Sequence, residues 1–156
     1  MNVLVTGGTG FVGKQLVREL VKSEHKVRCT VRALGQIDTE GCNETLLDLS
    51  HPEGLGSSLS NIDTVIHCAG RAHVMQENVS DPLDEYRKVN TKGTITLAKA
   101  AADAGVKRFV FISSIKVSGE KTELGKPFTP CESPMPADAY GQSKYEAEQA
   151  LLAISK

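Results

Sequence analysis

Tyr140-Gly-Gln-Ser-Lys144 sets a phenol and an ammonium four residues apart, a spacing that puts both on one face of a helix. A tyrosine at its ordinary pKa of about 10 is a poor acid–base near neutrality. A neighbouring ammonium favours the phenolate and makes the group usable for proton transfer. On its own the pair is weak evidence, because Y-x-x-x-K also arises on solvated helices. Ser113-Ser114, at the end of the run RFVFISS, adds a hydroxyl that can hold a substrate oxygen and orient it toward Tyr140.

A second constellation opens the chain. VTGGTGFVG, residues 5–13, carries four glycines in the pattern Gly7-x-x-Gly10-x-x-Gly13, one residue wider than the G-x-G-x-x-G dinucleotide fingerprint. Without a Cβ the backbone can turn sharply and come close to a pyrophosphate. A helix that follows at once offers unpaired N–H groups and its positive dipole end, and Gly13 lets that helix pack tightly on the first strand. The alternative is a glycine-rich turn that merely joins strand to helix; the flanking strand and helix favour the dinucleotide. The end of the second strand, VRCTVRA, holds no carboxylate for a ribose 2′-OH and places Arg32 there instead. A guanidinium suits a 2′-phosphate, so the reading is NAD or NADP with a lean to NADP; a solvated surface arginine is the alternative. Asp48 is a candidate for the adenine amino group or a plain turn or capping residue, and Leu49 beside it is counted with the cofactor contacts, as are Phe11 and Val12.

The elements that must carry these groups alternate. Strands are expected at Asn2–Thr6, Lys26–Val31, Glu44–Leu49, Asp63–Cys68 and Arg108–Ser114, and helices at Phe11–Lys22, Pro52–Leu59, Pro82–Ala104 and Tyr140–Ser155. In the third helix Tyr86, Val89, Leu97, Ala100 and Ala104 fall on one side. Ile115 to Ala137, with four prolines, reads as a long functional loop. Such alternation implies an α/β doubly wound parallel sheet, Rossmann-like, in strand order 3-2-1-4-5.

Bulk properties narrow the classes further. The 156 residues suit a single domain, 40% of them apolar and 24% charged. A net charge of -1 gives no reason to expect nucleic acid or a membrane surface as partner. No apolar run reaches the roughly 20 residues that span a bilayer, and the start reads as a strand rather than a signal peptide. Cys29, Cys42, Cys68 and Cys131 are scattered and the histidines unclustered, so neither a metal site nor a disulfide framework is expected. A cytoplasmic setting fits.

Taken in order, Gly7-x-x-Gly10-x-x-Gly13, Cys68-Ala69-Gly70, Asn90 in KVNTKGT, Ser113-Ser114 and Tyr140-x-x-x-Lys144 resemble an extended short-chain dehydrogenase/reductase, and more narrowly the NAD-dependent epimerase/dehydratase family that works on nucleotide sugars. The resemblance implies that Tyr140 is the acid–base, that Lys144 binds the nicotinamide ribose and tunes the phenol, and that Ser114 supports the substrate. It also implies that Ala69, Gly70 and Asn90 lie near the cofactor. Where related 4,6-dehydratases carry an Asp and a Glu after the serines, this chain has Ile115-Lys116-Val117-Ser118-Gly119, which disfavours dehydration; Glu120 lies too far on to substitute. Ser118 stands where 4-epimerases commonly keep a tyrosine. The loop looks most like those of 4-ketoreductases and epimerases of UDP-linked sugars, which share hydride passage at C4. A dihydroflavonol-type NADP ketoreductase and a non-catalytic dinucleotide-binding module are the competing readings. Family members continue beyond this length, so residues 1–156 are expected to be a dinucleotide-binding domain without the C-terminal strands and substrate lobe, able to bind cofactor, with activity in a longer parent. The family's mode of pairing implies a homodimer through the two long helices.

Overall fold

The computed structural model describes residues 1–51, 54–72, 81–129 and 134–155. Contacts divide them into two compact units, one of Met1–Gly70 with Thr96–Ile112, the other of Arg71–Ile95 with Ser113–Lys156. The anticipated helix start at Pro52, and Pro130 and Cys131 of the anticipated loop, lie outside the described residues.

The first unit is built on a parallel sheet in the order β3-β2-β1-β4-β5, with β1 Asn2–Thr6, β2 Lys26–Val31, β3 Cys42–Leu46, β4 Thr64–His67 and β5 Arg108–Phe111. The expected strand order and the Rossmann-like class both hold. β1 sits at the centre, with Val3 in register with Val27 and Thr64, and Thr6 with Thr30 and His67. Its Val3, Leu4 and Val5 are buried, because a central parallel strand is covered on both faces. Helix α1, Phe11–Lys22, packs Val17 with Leu16, Leu20 and Val21 against Val3, Val5, Val27 and Cys29. Helix α2, Leu55–Leu59, is the short crossover before β4.

Three strands differ from expectation in their bounds. β3 starts earlier and stops at Leu46, because Asp48 turns the chain back through a bridge with His51. β4 closes one residue inside the expected range at each end. β5 ends at Phe111 rather than Ser114, since Ser114 caps a short 3-10 turn, Ile115–Val117, by accepting from the Lys116 N–H.

The long third helix is interrupted. α3, Pro82–Tyr86, is capped by Asp81 and runs into a π-helical turn, Arg87–Gly93, before α4, Thr94–Asp103. A π turn takes extra residues per revolution and rotates everything after it. The buried face passes from Tyr86 to Asn90 and Thr94, then to Leu97, Ala98 and Ala101; Tyr86 and Leu97 of the expected stripe lie on it, Val89 and Ala100 are half-buried, and Ala104 is exposed. The second unit is completed by α5, Ala139–Ile154.

Candidate functional site

In the first unit the glycine turn is held where β1 and β4 end. The Thr6 hydroxyl bonds the buried His67 ring at Nδ1 (2.5 Å) and accepts from the Ala69 N–H (3.2 Å). Phe111 stacks on His67 with ring centroids 5.6 Å apart. The two strand ends are thereby locked side by side, and Gly7, with φ +72°, passes so close that an added Cβ would stand 2.6 Å from the Ala69 nitrogen. Gly10 donates its N–H to the Gly7 carbonyl at 3.0 Å and begins α1. A Cβ at Gly13 would lie 2.1 Å from the Gly7 oxygen. The close packing expected of Gly13 is real, but its tightest neighbour is the turn itself rather than the first strand.

This cradle fits a dinucleotide. The first turn of α1 has no acidic residue, and its leading N–H groups lack intrahelical acceptors, so an anion is the complementary ligand. Phe11 is 97% exposed and Val12 53% exposed at the same helix start, and Ala69 and Gly70 follow the end of β4, where Ala69 meets Gly7.

Arg32 is exposed directly after β2. Asp48 serves the turn role left open by its sequence: Oδ1 accepts from the Ser50 N–H at 2.8 Å and its carbonyl from the His51 N–H at 3.1 Å. The bond from the Ser50 amide, followed by smaller contributions from His51 and Arg32, holds its carboxyl below the ordinary range. Leu49 is buried, so its side chain faces the interior. Sequence reasoning missed Glu44, whose carboxylate accepts from the N–H groups of Gly35, Gln36 and Ile37 and so folds the loop after β2.

In the second unit Tyr140 and Lys144 share a face of α5, as their spacing requires. Tyr140 is half-buried and meets Tyr86 edge-on at 6.0 Å between centroids. Lys144 is only 3% exposed, which is rare for an ammonium. The start of α5 is clamped. Asp138 caps it through the Gly141 N–H at 2.6 Å, and Lys116 reaches both Asp138 (2.9 Å) and Glu120 (2.8 Å). Burial acts to raise the Asp138 carboxyl, but the Gly141 N–H and the Lys116 ammonium outweigh it and hold the group below its usual range. Gly141 lets the loop lie against the helix, for a Cβ there would stand 2.7 Å from the Lys116 carbonyl oxygen.

Ser113 and Ser114 part company. Ser114 caps the 3-10 turn through the Lys116 N–H at 3.3 Å, whereas Ser113 turns its Oγ inward with no hydrogen-bond partner among the described residues. Asn90 is buried at the π turn. Its Oδ1 accepts from the Arg71 N–H (2.7 Å), while Nδ2 donates to the Arg71 carbonyl and to Ser143 Oγ, both at 3.0 Å. Ser143 in turn donates to the Tyr140 carbonyl at 2.7 Å. Asn90 thus ties the segment after Gly70 to the helix that carries Tyr140. Lys116, Asp138, Gly141 and Ser143 escaped the sequence reading. Only the A-D-A-Y-G run, a capping residue three before a glycine, could have signalled Asp138.

Comparison with known proteins completes the picture. Residues 3–156 match the NAD dependent epimerase/dehydratase family. A UDP-glucose 4-epimerase of Vibrio cholerae is 47% identical over 156 residues, covering 99% of this chain and 47% of that protein. A 3-beta-hydroxysteroid dehydrogenase of Mycolicibacterium neoaurum is 32% identical over 157 residues, 96% of this chain and 42% of its own length. The solved structure of MoeE5 in complex with UDP-glucose and NAD superposes with a TM-score of 0.86 at 34% identity, covering 99% of this chain and 49% of that one. The chain belongs to the NAD dependent epimerase/dehydratase family, as its ordered motifs implied, and spans about half the length of the curated relatives it matches.

Proposed function

We propose that the intact protein, as a member of this enzyme family, passes hydride between a nicotinamide cofactor and C4 of a UDP-type nucleotide sugar, with Tyr140 as the acid–base. The observation that carries the proposal is Lys144, buried to 3% exposure one turn from Tyr140. Burial of an ammonium is costly unless it is paired and hydrogen-bonded, and Asp138, Lys116 and Gly141 fix the start of the helix that carries it. When bound, the nicotinamide supplies the acceptor and donor of hydride. Tyr140 takes the proton of the C4 hydroxyl as the sugar is oxidised and returns it on reduction. Lys144 binds the nicotinamide ribose and favours the phenolate, and Ser114 orients the sugar oxygen.

Residues 1–156 then act as one dinucleotide-binding domain. Gly7, Gly10, Phe11, Val12 and Gly13 receive the pyrophosphate, Ala69 and Gly70 border it, and Asp48 and Leu49 mark the adenine end. Asn90 contributes by holding the Arg71 backbone. Arg32, exposed after β2, favours NADP over NAD. Glu120 is occupied with Lys116, which argues against its serving as an elimination base. α3–α4 and α5 pair two copies into a cytoplasmic homodimer. The names of the Vibrio cholerae and MoeE5 relatives favour the sugar. The steroid dehydrogenase relative favours a second reading, a ketoreductase acting on an alcohol without a nucleotide.

Two assays test this. Incubating the intact protein with UDP-glucose and NAD should yield the C4 epimer or a C4 ketone. Cofactor reduction with a hydroxysteroid or a dihydroflavonol-type alcohol, and none with the sugar, would select the second reading. Titration with both cofactors should show tighter NADP binding that Arg32→Ala abolishes; equal affinities unchanged by the substitution would remove the NADP preference.

A further inference from the structure

Cys29 in β2 and Cys42 in β3 are thirteen positions apart in sequence but adjacent in the sheet. The register sets Val27 opposite Cys42 and Glu44 opposite Cys29, so the thiols are diagonal neighbours on one face. Their sulfur atoms are 3.0 Å apart. Both are free thiols; Cys29 is fully buried and Cys42, on the edge strand, is half-buried and reaches solvent. The pair lies against the glycine turn, since a Cβ at Gly8 would come within 3.0 Å of Cys29 Sγ. The two sulfurs differ in character. The hydrogen bond with Cys42, then burial, pushes the Cys29 thiol up and keeps it protonated, while the same bond draws Cys42 below its usual range.

We propose that Cys29 and Cys42 form a peroxide-sensitive dithiol that closes reversibly into a disulfide beneath the glycine turn. The Cys42 thiolate attacks one oxygen of the peroxide; the O–O bond breaks, hydroxide leaves and is protonated to water, and Cys42 becomes a sulfenic acid. The Cys29 sulfur then attacks the Cys42 sulfur. An S–S bond forms, the S–O bond breaks, and the hydroxide departs as water with the Cys29 proton. The two sulfurs lose two electrons, the peroxide gains them, and two waters result. A dithiol reductant reverses the change by exchange. The order of attack follows access: the exposed sulfur meets the oxidant, and the buried one resolves it. Gly8 rests on Cys29, so closure of the bond disturbs the turn above it.

The test uses the protein as it stands, treated with hydrogen peroxide and then digested without reduction. The expected result is a loss of two hydrogens, a cross-linked peptide pair containing Cys29 and Cys42, and recovery of both thiols with dithiothreitol. In Cys29→Ala, peroxide should leave Cys42 as a sulfenic acid that dimedone captures. In Cys42→Ser, a change at a half-buried edge position, no cross-link to Cys29 should form. Amide exchange at Gly7, Gly8 and Gly10 should quicken on oxidation and return on reduction. Over-oxidation of Cys42 without a cross-link, or a bond from Cys29 to Cys68 or Cys131, would overturn the pairing. A Cys29–Cys42 bond with unchanged exchange at the turn would overturn the coupling to Gly8.

Discussion

At Gly13 the sequence pattern and the packing have one cause. A methyl group there would sit 2.1 Å from the Gly7 oxygen, well inside van der Waals contact with a backbone atom that cannot swing away. Gly13→Ala should therefore destabilise by about 3 kcal/mol or more, at or above the upper end of ordinary overpacking. Gly56, in α2, is the control, because an added methyl there would have nothing within 4 Å. Gly56→Ala should stabilise by about 0.5–1 kcal/mol. Denaturant midpoints at constant m-value separate the two. The spacing of Gly7 and Gly13 was legible in the sequence because both answer a local steric demand. Lys144 was legible through its spacing from Tyr140, though its burial was not. The Cys29–Cys42 contact was not legible at all, because strand register alone brings those residues together.

At the scale of elements, the clamp on α5 and the loop after β2 carry the testable content. Asp138→Ala removes the cap at Gly141 and the partner of Lys116, and should lower stability by about 1 kcal/mol. The loss should be concentrated in the first turn of α5, read as faster amide exchange at Gly141 and Gln142. Glu44 gives a pH signature. The N–H groups of Gly35, then Ile37 and Gln36, hold its carboxyl below the ordinary range. A depressed carboxyl contributes stability that is fully present above its unfolded pKa and is lost as pH falls through the folded value. Protection of the Gly35, Gln36 and Ile37 amides should accordingly disappear in acid, and at neutral pH in Glu44→Ala; protection unchanged in the variant would contradict the loop assignment. Strand and helix identities were readable from periodicity. The π turn at Arg87–Gly93 was not, because it has no signal in residue type; beyond it Leu97 is buried as expected, but Ala101 is buried in place of Ala100 and Ala104. The latch of Lys116 on Asp138 was hidden for another reason: the partners stand twenty-two positions apart across a proline-rich segment.

For the whole molecule, the family and the sheet topology followed from the ordered motifs and from strict alternation of strands and helices. Among the described residues no helix is long and apolar enough to cross a membrane. The proposed pairing through α3–α4 and α5 predicts a sedimentation coefficient that rises with concentration toward a dimer; a monomer at every concentration would remove it. The central claim is that Tyr140 moves the substrate proton in a nicotinamide-dependent reaction. Its most direct measurement compares the intact protein with its Tyr140→Phe variant, recording cofactor affinity and turnover of UDP-glucose side by side. General acid–base catalysis is worth about 10²–10⁴-fold, so turnover should fall by at least about 100-fold while cofactor affinity stays within about twofold. Turnover equal to that of the unaltered protein would contradict the account.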